Sequence, residues 1–165
     1  VRVAVVASLL NRALATPLAW PLGLAAIVFV AGALLLLVRN TAAEQPQLRI
    51  TNPLEIGSAL VMAGLITVVL IASEVLRGLA GQSGVLLVAA FSGLADVDAV
   101  TISMARLGGG SIAIELAVHA IGLAVAVNAL AKGVMALWVG GARTGIPILV
   151  VSAIAIVVGG VAALR

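Results

Sequence analysis

Two aspartates interrupt a chain that is otherwise almost entirely hydrocarbon. Asp96 and Asp98 lie one residue apart in the run Gly-Leu-Ala-Asp-Val-Asp-Ala-Val-Thr-Ile-Ser, residues 93–103. A carboxylate in the bilayer costs about 2.5–3.5 kcal/mol on insertion scales, so a membrane chain that keeps two is expected to use them. Because hard cations such as Mg²⁺ prefer oxygen ligands, the motif predicts a cation or proton site with Asp96 and Asp98 as metal ligands. Thr101 and Ser103 would add hydroxyl oxygens.

The spacing of the two aspartates makes a demand on the backbone. On a regular helix, side chains two positions apart point about 200° away from each other. The pair could therefore share one ion only if the helix is broken or if two chains contribute. Transporters often build ion sites near the membrane midplane from discontinuous helices, and a glycine precedes this pair. We therefore predict a break or irregular turn between Gly93 and Thr101. In the alternative, one aspartate caps the following half-helix and the other lies at a wet interface.

More polar residues lie on the long apolar run from Ser111 to Val139. Asn128 and Lys132 are four residues apart and share one helical face, which predicts that they orient or neutralise the aspartates. Lys132 has an alternative role, in which its long side chain snorkels to the lipid headgroups. His119 is expected to act either as a packing residue or as a proton relay or ligand.

The composition identifies the class of protein that holds these residues. The chain of 165 residues is 64% hydrophobic and 9% charged, with a mean hydropathy of +1.34, whereas soluble domains carry about 25% charged residues. Its long, continuous apolar runs favour helices over the alternating strands of a membrane barrel. The basic residues are scattered singly, which excludes nucleic acid as a partner. The expected fold is all-α: a polytopic transmembrane bundle forming a single domain over residues 1–165.

About five full spans are expected, one of them discontinuous. Residues 39–55 are the only polar stretch and are expected to form a loop. Asn52 would cap the helix that follows this loop, and Glu55 would face the positive end of its dipole. Residues 1–10 are apolar but too short to span the membrane alone. Full spans are expected over residues 17–38, 54–76, 83–105, 111–139 and 146–164, with a turn at 140–145.

The motifs of membrane-bound and soluble enzymes are not matched. Asp-Val-Asp resembles the metal motif of sugar-nucleotide transferases, but that motif belongs to soluble domains, which this chain lacks. The motif of membrane head-group transferases needs further aspartates downstream, and Asp98 is the last aspartate in the sequence. No serine-hydrolase, zinc-protease or phosphate-loop signature occurs. The chain is therefore not expected to be an enzyme.

Three segments, residues 50–55, 92–101 and 128–132, resemble a known family. They are similar to the membrane domain called DUF family 4010, and the resemblance covers nearly the whole chain. That domain commonly follows an MgtC/SapB-type membrane domain in bacterial proteins. The resemblance implies a multi-pass protein of the bacterial inner membrane, a link to magnesium homeostasis, and a longer parent chain in which residues 1–10 end a span. The site residues that it implies are Asn52, Glu55, Asp96, Asp98, Thr101, Asn128 and Lys132.

Two functions remain open from the sequence. The first is transport of an inorganic cation, Mg²⁺-like or proton-coupled, by a transporter or a transport-associated subunit that uses the Asp-Val-Asp motif. The second is a membrane scaffold, assembly or regulatory protein in which the polar residues hold helices together. Expected partners are the lipid bilayer, a second copy in a homodimer, and an MgtC/SapB-type domain. No cofactor is certain, and a divalent cation such as Mg²⁺ is the candidate.

Overall fold

The computed structural model describes residues 2–39 and 56–163, and nearly all of them are helical. The predicted polar loop at 39–55 therefore falls almost wholly outside the described residues, together with Asn52 and Glu55. Within the two described ranges, five α-helices and one short 3₁₀ helix follow one another. They are α1 (Arg2–Leu10), the 3₁₀ helix Arg12–Leu14, α2 (Ala15–Arg39), α3 (Ile56–Ala95), α4 (Val97–Leu107) and α5 (Ile114–Ala163).

Helix α3 reverses direction at a glycine. Gly81 has φ 58° and ψ −138°, a left-handed conformation that glycine adopts without steric cost. A Cβ atom at Gly84 would overlap the backbone of Leu76, so the residues on either side of Gly81 face each other. Helix α3 is thus two antiparallel arms, residues 56–80 and 82–95.

Helix α5 reverses in the same way at Gly141, which has φ 69° and ψ 179°. A Cβ atom at Gly145 would overlap Leu137, and one at Gly133 would meet the side chain of Leu149. The two arms of α5, residues 114–140 and 142–163, are therefore antiparallel. The turn predicted at 140–145 is present, but it is concentrated at one residue.

Helix α2 packs along the second arm of α5 in the opposite direction. A Cβ at Gly32 would lie 2.7 Å from the side chain of Val151, and one at Gly159 would lie 3.3 Å from the carbonyl oxygen of Pro21. Small residues allow such close approach between membrane helices. Helix α2 consequently runs parallel to the first arm of α5.

The helical lengths confirm a polytopic membrane bundle. In the described part of the chain, four helical stretches are candidate spans by length and composition: Arg12–Val38, Gly78–Ala95, Ile114–Trp138 and Gly141–Ala163. The second of them contains the reversal at Gly81. Its arm after the reversal, residues 82–95, is about 21 Å long, shorter than a hydrocarbon core of roughly 30 Å. The full span predicted at 83–105 is therefore not formed as one crossing helix. The first arm of α3 covers most of the remaining predicted span, at 54–76.

The buried core occupies one half of the bundle. We call the membrane side at which α5 begins the near side, and the side at Gly141 the far side. The core residues of α5 lie between Leu116 and Ala124, in the near half of its first arm. They cluster with Leu14 from the 3₁₀ helix and with Leu18 from the start of α2. The same cluster contains Val85, Val88 and Ala89 from α3, and Val100, Met104 and Ala105 from α4.

Candidate functional site

The helix break predicted near the aspartates is present. Helix α3 ends at Ala95 and helix α4 begins at Val97. Between them, Asp96 adopts an extended conformation with φ −156° and ψ 119°. Asp96 and Asp98 therefore do not lie two positions apart on one regular helix. A shared ion requires such a break, because a regular helix would point the two side chains away from each other.

Asp96 acts as the N-cap of α4. Its Oδ1 atom accepts a hydrogen bond of 2.9 Å from the backbone N–H of Asp98. This satisfies one of the amide donors that the first turn of a helix leaves unpaired. Asp98 lies in that first turn, where the helix dipole favours negative charge. The capping role weighed for one aspartate is thus the role of Asp96.

Asn128 closes the other side of the break. In an unbroken helix the carbonyl of Gly93 would accept the amide of residue 97, but the break removes that partner. The Nδ2 atom of Asn128 donates a 2.9 Å hydrogen bond to this carbonyl oxygen, and Asn128 is only 8% exposed. Gly93 also packs directly on the backbone of Ala124, since a Cβ atom added to Gly93 would lie 2.8 Å from the Cα atom of Ala124. Asn128 thus lies close to the aspartate segment, as predicted, but it bonds to the carbonyl oxygen of Gly93 and not to a carboxylate.

Measured along the candidate span Ile114–Trp138, the break lies near mid-depth. The middle of the span Ile114–Trp138 is residue 126, so Asn128 lies about 3 Å from it along the helix axis. Asn128 bonds to Gly93, three residues before Asp96. With its 11 residues, α4 is about 16 Å long, about half of a hydrocarbon core roughly 30 Å thick.

The two helices that meet at the break form a re-entrant hairpin. Gly108, at the end of α4, packs against Ala117 near the start of α5, so α4 runs from mid-depth to the near side. The second arm of α3 places Val85 and Ala89 in the near-half core with Leu14, so it enters from the near side as well. The chain therefore descends to mid-depth, turns at Asp96, and returns to the side from which it came. We call residues 93–98 the tip of this hairpin.

Helix α1 lies beside α4 and runs in the same direction. Arg2, at its start, forms a salt bridge with Asp98 at the start of α4. Asn11 follows its end and donates hydrogen bonds of 3.2 and 2.8 Å to the carbonyl oxygens of Ala105 and Gly108 at the end of α4. Neither Arg2 nor Asn11 was a candidate from the sequence, because nothing in their spacing links them to residues 96–108.

Thr101 and Ser103 are buried on α4, but they do not face the same way. The hydroxyl of Thr101 donates to the carbonyl oxygen of Val97 at 2.8 Å, and that of Ser103 donates to the carbonyl oxygen of Ala99 at 2.7 Å. Thr101 lies one turn beyond Asp98 on the same face, whereas Ser103 lies about 140° around the helix from Asp98. Thr101 therefore lies on the face of α4 that carries Asp98, whereas Ser103 lies on another face of the helix.

The predicted salt bridge between Lys132 and the aspartates is not formed. Lys132 is exposed, and within the described residues the cation bound to Asp98 is Arg2. His119 is also exposed and lines an apolar groove of about 300 Å³ between α2 and the two arms of α5. Neither residue belongs to the tip.

The described part of the chain contains no group of three or more histidine, cysteine, aspartate or glutamate side chains that could hold a metal ion. Among the described residues, a cation at the tip would therefore have the two carboxylates as its charged ligands, and its other ligands would be hydroxyl, backbone or water oxygens. Mg²⁺ is commonly bound in this way, through one or two carboxylates with several waters retained.

The fold and the tip define an all-α, multi-pass membrane protein with a re-entrant helical hairpin and two carboxylates at its turn. The chain belongs to the DUF4010 family, a domain of unknown function, whose family profile matches residues 1–140. Neither the curated proteins nor the solved structures contain a match to this chain.

Proposed function

We propose that this protein carries an inorganic cation across the membrane, either Mg²⁺-like or coupled to protons, alone or as a subunit of a transport system. The observation that supports this is the placement of Asp96 and Asp98 at a helix break near mid-depth. Non-helical backbone at this depth is tolerated only inside protein or beside a water-filled cavity. Ionisable groups in such places mark ion and proton pathways in membrane proteins.

In this proposal Asp98 is the main ligand. Its position in the first turn of α4 favours the ionised carboxylate, and Thr101, one turn further along the helix, would add a hydroxyl oxygen. Asp96 adds a second charge while its Oδ1 atom caps α4. The site is set within the bacterial inner membrane, as the family resemblance implies, and two copies of the chain would form a homodimer. No chemical reaction is part of the proposed function.

Ion flux into liposomes tests the proposal. The purified chain is reconstituted with entrapped Mg²⁺-sensitive or pH-sensitive dye, and the variants Asp98→Asn and Asp96→Asn are compared with the parent. Asparagine caps helices about as well as aspartate, so Asp96→Asn removes charge and keeps the cap. We expect Asp98→Asn to reduce flux at least tenfold and Asp96→Asn to reduce it less.

Glu115→Gln is the matched control, because Glu115 is an exposed carboxylate in the first turn of α5, away from the tip. Its flux should equal that of the parent. Parental flux in well-folded Asp98→Asn protein would reject the ligand role.

A second function, that of a membrane scaffold, is favoured by a different observation. The polar side chains at and beside the tip bond to the protein itself: Asp96 caps α4, Asp98 binds Arg2, and Asn128 of α5 binds Gly93. A scaffold predicts no flux of either ion through the parent protein. It also predicts that Asp98→Asn lowers thermal stability equally with and without Mg²⁺.

A further inference from the structure

The salt bridge at the tip joins two very differently placed side chains. Asp98 is 16% exposed at its side chain, whereas the side chain of Arg2 is 75% exposed. The carboxylate is therefore fixed inside the bundle, and the guanidinium approaches it from the surface. Helix α1 is held independently of this contact, because Ala7 is fully buried and Asn11 is bonded to the end of α4.

This asymmetry determines which partner can leave. A largely buried carboxylate that loses its counter-ion is left with an uncompensated charge, which is strongly unfavourable. Three quarters of the Arg2 side chain already lies on the outer surface of the bundle, so leaving Asp98 costs it no packing inside the protein. Because an unpaired charge in the hydrocarbon region is costly, the displaced guanidinium would have to snorkel toward the headgroups or water. While it is ionised, Asp98 thus needs a cation beside it, but the cation need not be Arg2.

We propose that Arg2 is a tethered cation that occupies the ion position of Asp98 and has to leave before a transported cation can bind there. This inference rests on the proposed function and describes how ion binding at Asp98 would be regulated. Asp98 has a positive partner in both states, the guanidinium in one and the ion in the other. Asp96, two residues away, offsets the second charge when that ion is divalent. Lys132 of α5 is exposed, and among the described residues it forms no salt bridge with Asp98.

Removing the tethered cation should strengthen ion binding. If Arg2 occupies Asp98 in nine molecules of ten, the apparent dissociation constant is tenfold above the intrinsic one. We therefore expect Arg2→Gln to lower the apparent dissociation constant for Mg²⁺ about tenfold. This is measured from the Mg²⁺ dependence of the thermal unfolding midpoint in detergent, and again from the half-saturating Mg²⁺ concentration for flux. Arg106→Gln is the matched control, because Arg106 is an exposed arginine in the last turn of the same half-helix, and its Mg²⁺ affinity should not change.

A second variant retains the charge and tests displacement directly. Arg2→Lys places a primary amine at the position of the guanidinium, and its rate of reaction with an impermeant amine reagent reports whether it is bound to Asp98. We expect Mg²⁺ to increase this rate several-fold. Lys132 is the only lysine in the parent sequence and serves as the internal reference, whose rate should not respond to Mg²⁺.

Two results separate this inference from the function on which it rests. Unchanged or weaker Mg²⁺ affinity in folded Arg2→Gln, or an Arg2→Lys amine whose reactivity ignores Mg²⁺, would overturn the role of Arg2 while Asp98→Asn still abolished flux. Flux that survives Asp98→Asn would instead reject the proposed transport function. If Arg2→Gln does not fold, the amine measurement decides the question alone.

Discussion

At the scale of single residues, two polar side chains one turn apart on α5 have opposite surroundings. Asn128 is buried and donates to the carbonyl oxygen of Gly93, whereas Lys132 is exposed. Both were expected to serve the aspartates because they share a helical face. A shared face is approximately 100° wide, however, and whether a neighbouring helix covers all of it depends on packing that periodicity does not specify.

The two residues should therefore differ in their effect on stability. Asn128→Leu keeps the number and branching of the side-chain heavy atoms but leaves the carbonyl of Gly93 buried without a donor. It should lower the free energy of unfolding by about 1–3 kcal/mol. Lys132→Met, the control one turn away, should change it by less than about 0.5 kcal/mol. Thermal or denaturant unfolding in a fixed detergent measures both. Equal effects would show that the Asn128 hydrogen bond does not hold the break.

The residues at the break could be anticipated to different degrees. A Gly93-to-Thr101 discontinuity followed from two carboxylates that no regular helix could bring together, and the structure confirms it. The cap formed by Asp96 was one of the alternatives, because aspartate is a common N-cap residue. Asn11 and Arg2 could not be anticipated, since their partners are about a hundred residues away and no periodicity relates them. Asn52 and Glu55 remain predictions.

At the scale of elements, the hairpin tip is held by a close contact between helices. Gly93 packs closely on the backbone of Ala124. A Cβ atom added to Gly93 would lie 2.8 Å from the Cα atom and 2.9 Å from the carbonyl oxygen of Ala124. The obstacle is main chain, which cannot move aside as a flexible side chain can. Glycine at this position therefore sets how near the second arm of α3 approaches α5, and hence the depth of the aspartates.

Adding one methyl group tests this contact. Gly93→Ala should lower the free energy of unfolding by about 1–3 kcal/mol, the usual cost of overpacking, and should weaken any Mg²⁺ response by displacing the tip. Gly78→Ala is the matched control on the same helix, because nothing lies within 4 Å of a Cβ placed there. Its expected effect is a stabilisation of about 0.5–1 kcal/mol, since alanine is the better helix former. A Gly93→Ala protein as stable as the parent would contradict the close packing at the tip.

At the scale of the whole molecule, the main difference between sequence and structure concerns the path of residues 83–105. Their length and composition predict a span, with or without a break, because apolar runs of this length usually cross the bilayer. A break does not indicate on which side the chain leaves. That direction is set by packing, which brings Val85 and Met104 into one core with Leu116. The resulting hairpin places residues 82 and 108 on the near side.

This topology predicts which positions share a side of the membrane. The chain contains no cysteine, so single cysteines can be introduced at Ser83, Ser111 and Thr144, all of which are exposed. Ser83→Cys and Ser111→Cys should react with an impermeant maleimide from the same side of oriented vesicles, because the re-entrant hairpin returns the chain to its side of entry. Thr144→Cys, just beyond the reversal at Gly141, should react only from the opposite side. Labelling of Ser83→Cys and Ser111→Cys from opposite sides would show that the segment crosses the membrane, and the aspartates would then lie on a through-going span instead of a tip.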